Sequence, residues 1–237
     1  MGDFLTFFLA FWGGWDDIYG REGRGRKKMH SIFMKMHLYR RAFELKKKVP
    51  KNYKEKLTEV VEEVDSPVKV YLSGIKDAPF SVLNAGAYPC CFSDFILCTA
   101  EWAVRIVFFD SAETRNSFRI TVGHELTHLD GDFSKKHYHR ENWKFLSWVN
   151  EVHADFGGAQ KMVGGSRELA VSGIRYKQKL KKKDHDGSYP SWEKRAHYVE
   201  KYNFSIELLE IIAEQTGCTN RKLIEQVHEY YGDIVLH

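Results

Sequence analysis

Cysteine is scarce and unpatterned in this chain: four residues in 237, none in a C-x-x-C pair. Cys90 and Cys91 are adjacent, Cys98 follows seven positions later and Cys218 is remote. That spacing excludes a cysteine-based metal site and favours no disulfide, so the expected setting is a reducing, cytoplasmic one. Charge of one sign is also lacking. A formal net charge of +4 is too mild to argue for nucleic acid. No apolar run is long enough to span a bilayer, which takes about 20 residues; FLTFFLAFW, residues 4–12, reaches half of that. There is no internal repeat. What remains, at 43% hydrophobic and 29% charged residues, is a soluble globular chain long enough for one sizeable core.

The 4–12 run is preceded by Asp3 and followed by Trp12-Gly13-Gly14-Trp15-Asp16-Asp17, unlike the basic start and small-residue end of a secretory signal. It reads first as a segment that packs on the domain or is loosely ordered. Docking on a membrane surface or a partner, and a true signal, are the alternatives. The stretch GREGRGRKK (20–28) reads as a Gly/Arg linker. The expected division is therefore 1–28 as segment and linker, and 29–237 as a single domain.

Within that domain, residues 29–48 place Ile32, Phe33, Met36, Tyr39, Phe43 and Leu45 at helical spacing, and Pro50 ends the pattern. Residues 53–64 read as a second, more exposed helix. Strands are expected at 68–74, within 80–100, and most clearly at AVRIVFFD (103–110), whose edge is a candidate for substrate binding by strand addition. Helices follow at 114–129, 142–165, 205–216 and 219–231. The basic run RYKQKLKKKD (175–184) reads as a solvated face or an acidic-partner contact. The layout is α+β, with a small, mostly antiparallel sheet and a helical C-terminal part.

One stretch carries chemistry. In TVGHELTHLDGD (121–132), His124 and His128 stand four apart with Glu125 beside the first, the H-E-x-x-H pattern. One helical turn stacks the two imidazoles on one face, where they can share Zn²⁺, and puts Glu125 in place as a base toward a metal-activated water. A catalytic zinc site needs a third protein ligand. In the arrangement H-E-x-x-H-x-x-G-x-x-H, Gly131 fits but Ser134 stands where the third histidine belongs. His137 and His139 follow closely in a charged loop. Glu151 lies on the 142–165 helix, far enough from His128 for an antiparallel return, with Asp155 one turn on to accept the far N–H of a ligand histidine.

H-E-x-x-H followed by Glu151-x-x-Ala154-Asp155 resembles the gluzincin zinc metallopeptidases, and is most similar to the branch containing the CAAX prenyl protease and its soluble relatives. YPSWEKRAHYVEKY (189–202) is similar to the His-Pro-Ser…Arg segment of that branch, with Tyr189 in the place of the histidine. The likeness covers roughly residues 100–200. It implies a zincin-like fold and a zinc-dependent endopeptidase acting on peptide or protein substrates. His124, His128 and Glu151 would be the ligands, Glu125 the general base and Asp155 an outer hydrogen-bond acceptor. Tyr189, His185, Arg195 and His197 are candidates for a second electrophile, with Tyr189 first. Two rivals are a zinc-holding regulatory protein without turnover at rest and a nucleic-acid partner using the 175–183 lysines; no nucleic acid is expected.

Overall fold

The computed structural model describes residues 53–72, 85–89, 93–98, 102, 105–106, 110–180 and 187–237. The 4–12 segment, the linker, the expected 29–48 helix and His185 lie outside the described residues. In chain order the elements are α1 (Tyr53–Glu63), β1 (Lys69–Leu72), β2 (Ala85–Tyr88), β3 (Phe95–Cys98), α2 (Ala112–Asp130), a 3₁₀ turn (Arg140–Asn142), α3 (Trp143–Val163), α4 (Arg167–Leu180), α5 (Trp192–Lys201), α6 (Ile206–Thr216) and α7 (Arg221–Tyr231). The fold is α+β and dominated by helices. None of the helices among the described residues is long and apolar enough to cross a membrane.

The sheet is mixed where a mostly antiparallel one was expected. Its order is β1-β3-β2, with β3 parallel to β1 (Lys69 opposite Phe95) and antiparallel to β2 (Ala85 opposite Cys98). The strand expected at 103–110 is also corrected. Trp102, Arg105 and Ile106 are helical, and Trp102 and Ile106, one turn apart, are both fully buried. A short apolar run carries no period that separates a buried strand from a buried helix. The substrate-binding edge assigned to that run goes with it.

α2 begins where Ser111, in extended backbone, accepts the amide of Thr114 at 3.1 Å. It ends at Gly131, whose φ of 123° is a conformation side chains rarely adopt and whose N–H caps the carbonyl of His128. Between these ends α2 lies between two core clusters. Phe118, Val122 and Leu126 join α1 and the sheet in one core cluster. Ile120 joins α3, α4 and the C-terminal helices in the other. Buried from Ser117 to Thr127 except at Arg119, α2 satisfies its hydroxyls internally: Thr121 donates to the Ser117 carbonyl, Thr127 to that of Gly123, and Ser117 to that of Gly173 on α4.

Glycines set how close the neighbours come. A Cβ on Gly158 of α3 would lie 2.6 Å from the backbone nitrogen of His124, and one on Gly123 the same distance from the Gly158 carbonyl oxygen. The α2 and α3 backbones therefore touch directly at the level of the motif. α3 stops at Gly164 in the left-handed conformation. The apolar faces of α6 (Leu208, Leu209, Ile212) and α7 (Leu223, Ile224, Val227) close the larger cluster. The C-terminal residues are tied back by the Phe204–Ile234 bridge and by Arg167, which bonds the Tyr202 and Leu236 carbonyls.

The obstacle to a side chain at position 158 is backbone, which cannot swing aside. Gly158→Ala is expected to cost about 1–3 kcal/mol of stability, as overpacking does in a close-packed core. Denaturant unfolding of the metal-free protein measures it, and an unchanged midpoint would mean that the two helices are free to part.

Candidate metal centre

α2 presents His124 and His128 one turn apart, their rings edge to face with centroids 4.6 Å apart. α3 crosses at the glycine contact and brings Glu151 up to them. The Nε2 atoms of the two histidines stand 3.0 Å apart. Glu151 Oε2 lies 3.4 Å from the Nε2 of His124, and Oε1 lies 3.8 Å from that of His128. Ligands about 2.0–2.1 Å from a tetrahedral zinc ion stand about 3.3–3.4 Å from one another, and the three observed separations straddle that value. Among the described residues no other group of His, Cys, Asp or Glu converges in this way.

The far side of each imidazole fixes its tautomer. His124 Nδ1 donates to Asp155 Oδ1 at 2.9 Å, and His128 Nδ1 to Asp132 Oδ1 at 2.7 Å. With both protons placed there, two Nε2 lone pairs and a carboxylate face one another, an arrangement that needs a positive charge among them. Arg195, from α5, holds Asp155 through Nε (2.7 Å) and Nη2 (2.5 Å), and reaches Glu151 Oε2 through Nη1 at 3.2 Å. The helix that carries it is started by Ser191, which accepts the Lys194 amide. Arg195 Nη2 also lies 3.2 Å from His124 Nδ1, but the charged carboxylate is the stronger acceptor and keeps the proton on Nδ1.

Charge balance points the same way. Glu125, Asp132, Glu151 and Asp155 surround the imidazoles, and Arg195 and Lys177 answer them. Lys135 also faces Asp132 and Glu151, and the carboxylates still outnumber the cations. Burial alone would raise the carboxyl of Glu151, but the hydrogen bond and charge of His124, with Arg195 and His128, hold it down at about 2. Burial would likewise lower His128. The hydrogen bond to Asp132 and the charges of Glu151, Asp132 and Glu125 prevail and lift it to about 9. The metal-free cluster thus holds a proton on His128.

The other sequence candidates are scattered. Glu125 is buried at the flank of the cluster, 8% exposed. Ser134, His137 and His139 are exposed beyond the end of α2 and outside the group. Tyr189 is half-exposed in the bend before α5, and His197 is exposed, its ring 5.9 Å from that of Tyr202. Sequence reading missed two residues. Asp132 stands four positions after His128 and just past the helix end, a spacing that signals reach to the ring. Lys177 belongs to the run 175–184, but α4 carries that run as far as Leu180 and buries Lys177. Its ammonium lies 5.1 Å over the Trp192 ring, which Arg195 also covers at 4.3 Å. Burial, with Arg195, pushes it down to about 8 against the pull of Glu125, Asp155 and Glu151. No signal separated it from its solvated neighbours.

No protein-family model, curated protein or solved structure matches the chain.

Because a metal must displace the proton from His128, apparent zinc affinity should rise about tenfold per pH unit from pH 6 to 8, with about one proton released per ion. Calorimetry in two buffers counts that proton. In the metal-free protein the sign reverses. A histidine raised from 6.5 to about 9 stabilises the fold fully below pH 6.5, and that contribution fades as the pH climbs to about 9. Flat zinc affinity across this range would show that His128 is not titrated by the metal.

Proposed function

We propose that the protein is a zinc-dependent peptidase of the zincin-like, gluzincin type, similar to the soluble relatives of the CAAX prenyl protease. The observation that carries the reading is the convergence of His124, His128 and Glu151, with each far imidazole nitrogen already tied to a carboxylate. His124 Nε2, His128 Nε2 and a Glu151 oxygen would hold the ion. When bound, zinc supplies Lewis acidity that brings a water toward a pKa of about 7 and polarises a peptide carbonyl.

The chain's own groups do the rest. Glu125 is next to His124 yet outside the ligand group, so its carboxylate is free for proton work. It takes a proton from the attacking water at a carboxylate oxygen and returns it to the amide nitrogen that leaves. Arg195 keeps Glu151 turned toward the imidazoles and neutralises Asp155 in the dry interior. Tyr189, at the exposed start of the segment leading to Arg195, is the hydroxyl assigned to the developing oxyanion. Lys177 adds a second buried cation on the Glu125 side of the site.

The test separates base from ligand. Glu125→Gln should keep zinc at wild-type stoichiometry and lose hydrolysis of an unfolded protein substrate by about 100-fold or more, as expected when a general base is removed. Matching zinc loss would overturn the assignment. Wild-type protein that holds zinc and cleaves nothing favours the regulatory rival.

A second set of variants tests the ligands. Glu151→Ala should release zinc to a mild chelator, while His137→Ala and His139→Ala should not. Loss of zinc from either histidine variant, with Glu151→Ala intact, would place the metal elsewhere.

A further inference from the structure

We infer that Tyr231, in the last turn of the last helix, is a positioning residue for the metal centre: with Asn150 it clamps the backbone of Phe133 and so holds the adjacent Asp132 on His128. This rests on the zinc reading above.

The backbone at 131–135 has no regular structure, yet it carries the carboxylate that orients one imidazole. The amide of Phe133 donates to Tyr231 Oη at 2.7 Å, and that hydroxyl donates onward to Asn150 Oδ1 at 2.9 Å. Asn150 Nδ2 then donates to the Phe133 carbonyl at 3.3 Å, closing a ring that uses both polar groups of one backbone residue. Asn150 is buried at 5% exposure and immediately precedes Glu151, so the clamp stands on the same helix as that carboxylate. The Tyr231 ring stacks on His153 of α3, centroids 3.8 Å apart and planes within 24°. Tyr230 meets Phe133 edge to face.

On the other side of Asp132, Gly131 is fixed by its bond to the His128 carbonyl. Asp132 is thus held by backbone bonds on both flanks. That matters because its side chain is 43% exposed. An exposed charged pair gives little when its partners must be ordered from a mobile state, and a fixed backbone removes part of that entropy. The sequence shows none of this, since 98 residues separate Phe133 from Tyr231.

The experiment is a double-mutant cycle read by zinc competition with a chromophoric chelator, with a melting curve for every variant. Tyr231→Phe keeps the ring stack and removes only the hydroxyl. It should weaken zinc about tenfold, at the lower end of what loss of an outer hydrogen-bond partner does. Asn150→Ala opens the clamp from the other side and should do the same. In an Asp132→Ala background, Tyr231→Phe should add nothing. Tyr198→Phe removes a comparable bond, to Gln215, in the same C-terminal core and should leave zinc affinity unchanged. Wild-type affinity in Tyr231→Phe, or an undiminished penalty after Asp132→Ala, would overturn the inference while leaving the metal centre standing. Wild-type protein that binds no zinc would remove both.

Discussion

Two imidazole nitrogens held 3.0 Å apart, opposite a partly buried carboxylate, are the constraint on which the rest of the structure turns. Without a metal ion their lone pairs would repel, and a proton on the raised His128 takes the ion's place between them. Several parts of the fold exist to enforce the arrangement. α2 lies between two core clusters. Gly123 and Gly158 allow α2 and α3 into backbone contact, which is what brings Glu151 within reach. Asp155 and Asp132 then fix which nitrogen of each ring faces inward.

The surrounding charges explain why the site holds its shape. Asp155 is 2% exposed and would be costly to ionise there on its own. Arg195 meets both of its oxygens and also reaches Glu151, so one guanidinium serves two carboxylates with different tasks. The stacking of Arg195 and Lys177 on Trp192 keeps both cations inside the domain. Buried charges of this kind do little for stability. On the proposed reading, their value lies in a polar pocket suited to a cation.

Much of this was legible in the sequence because the decisive signals are local. The spacing of His124, Glu125 and His128 means one helical face, and Glu151 with Asp155 means one turn of another. Gly164 ends its helix where the sequence says it should. The failures came where tertiary contact overrides local pattern. Arg105 and Ile106 fall in a run that looks like a strand, but both are helical and Ile106 is completely buried. The sheet is mixed, because pairing direction depends on connections that composition does not encode. Lys177 reads as one lysine among many, and only the crossing of α4 over α2 takes it out of water. The clamp of Tyr231 on Phe133 is invisible in principle, since no period links residues so far apart.

The most direct measurement is anomalous diffraction at the zinc edge from crystals grown with the ion. The account predicts one strong peak within about 2.0–2.2 Å of His124 Nε2, His128 Nε2 and a Glu151 carboxylate oxygen. A peak placed on His137 or His139, or no peak between α2 and α3, would contradict it.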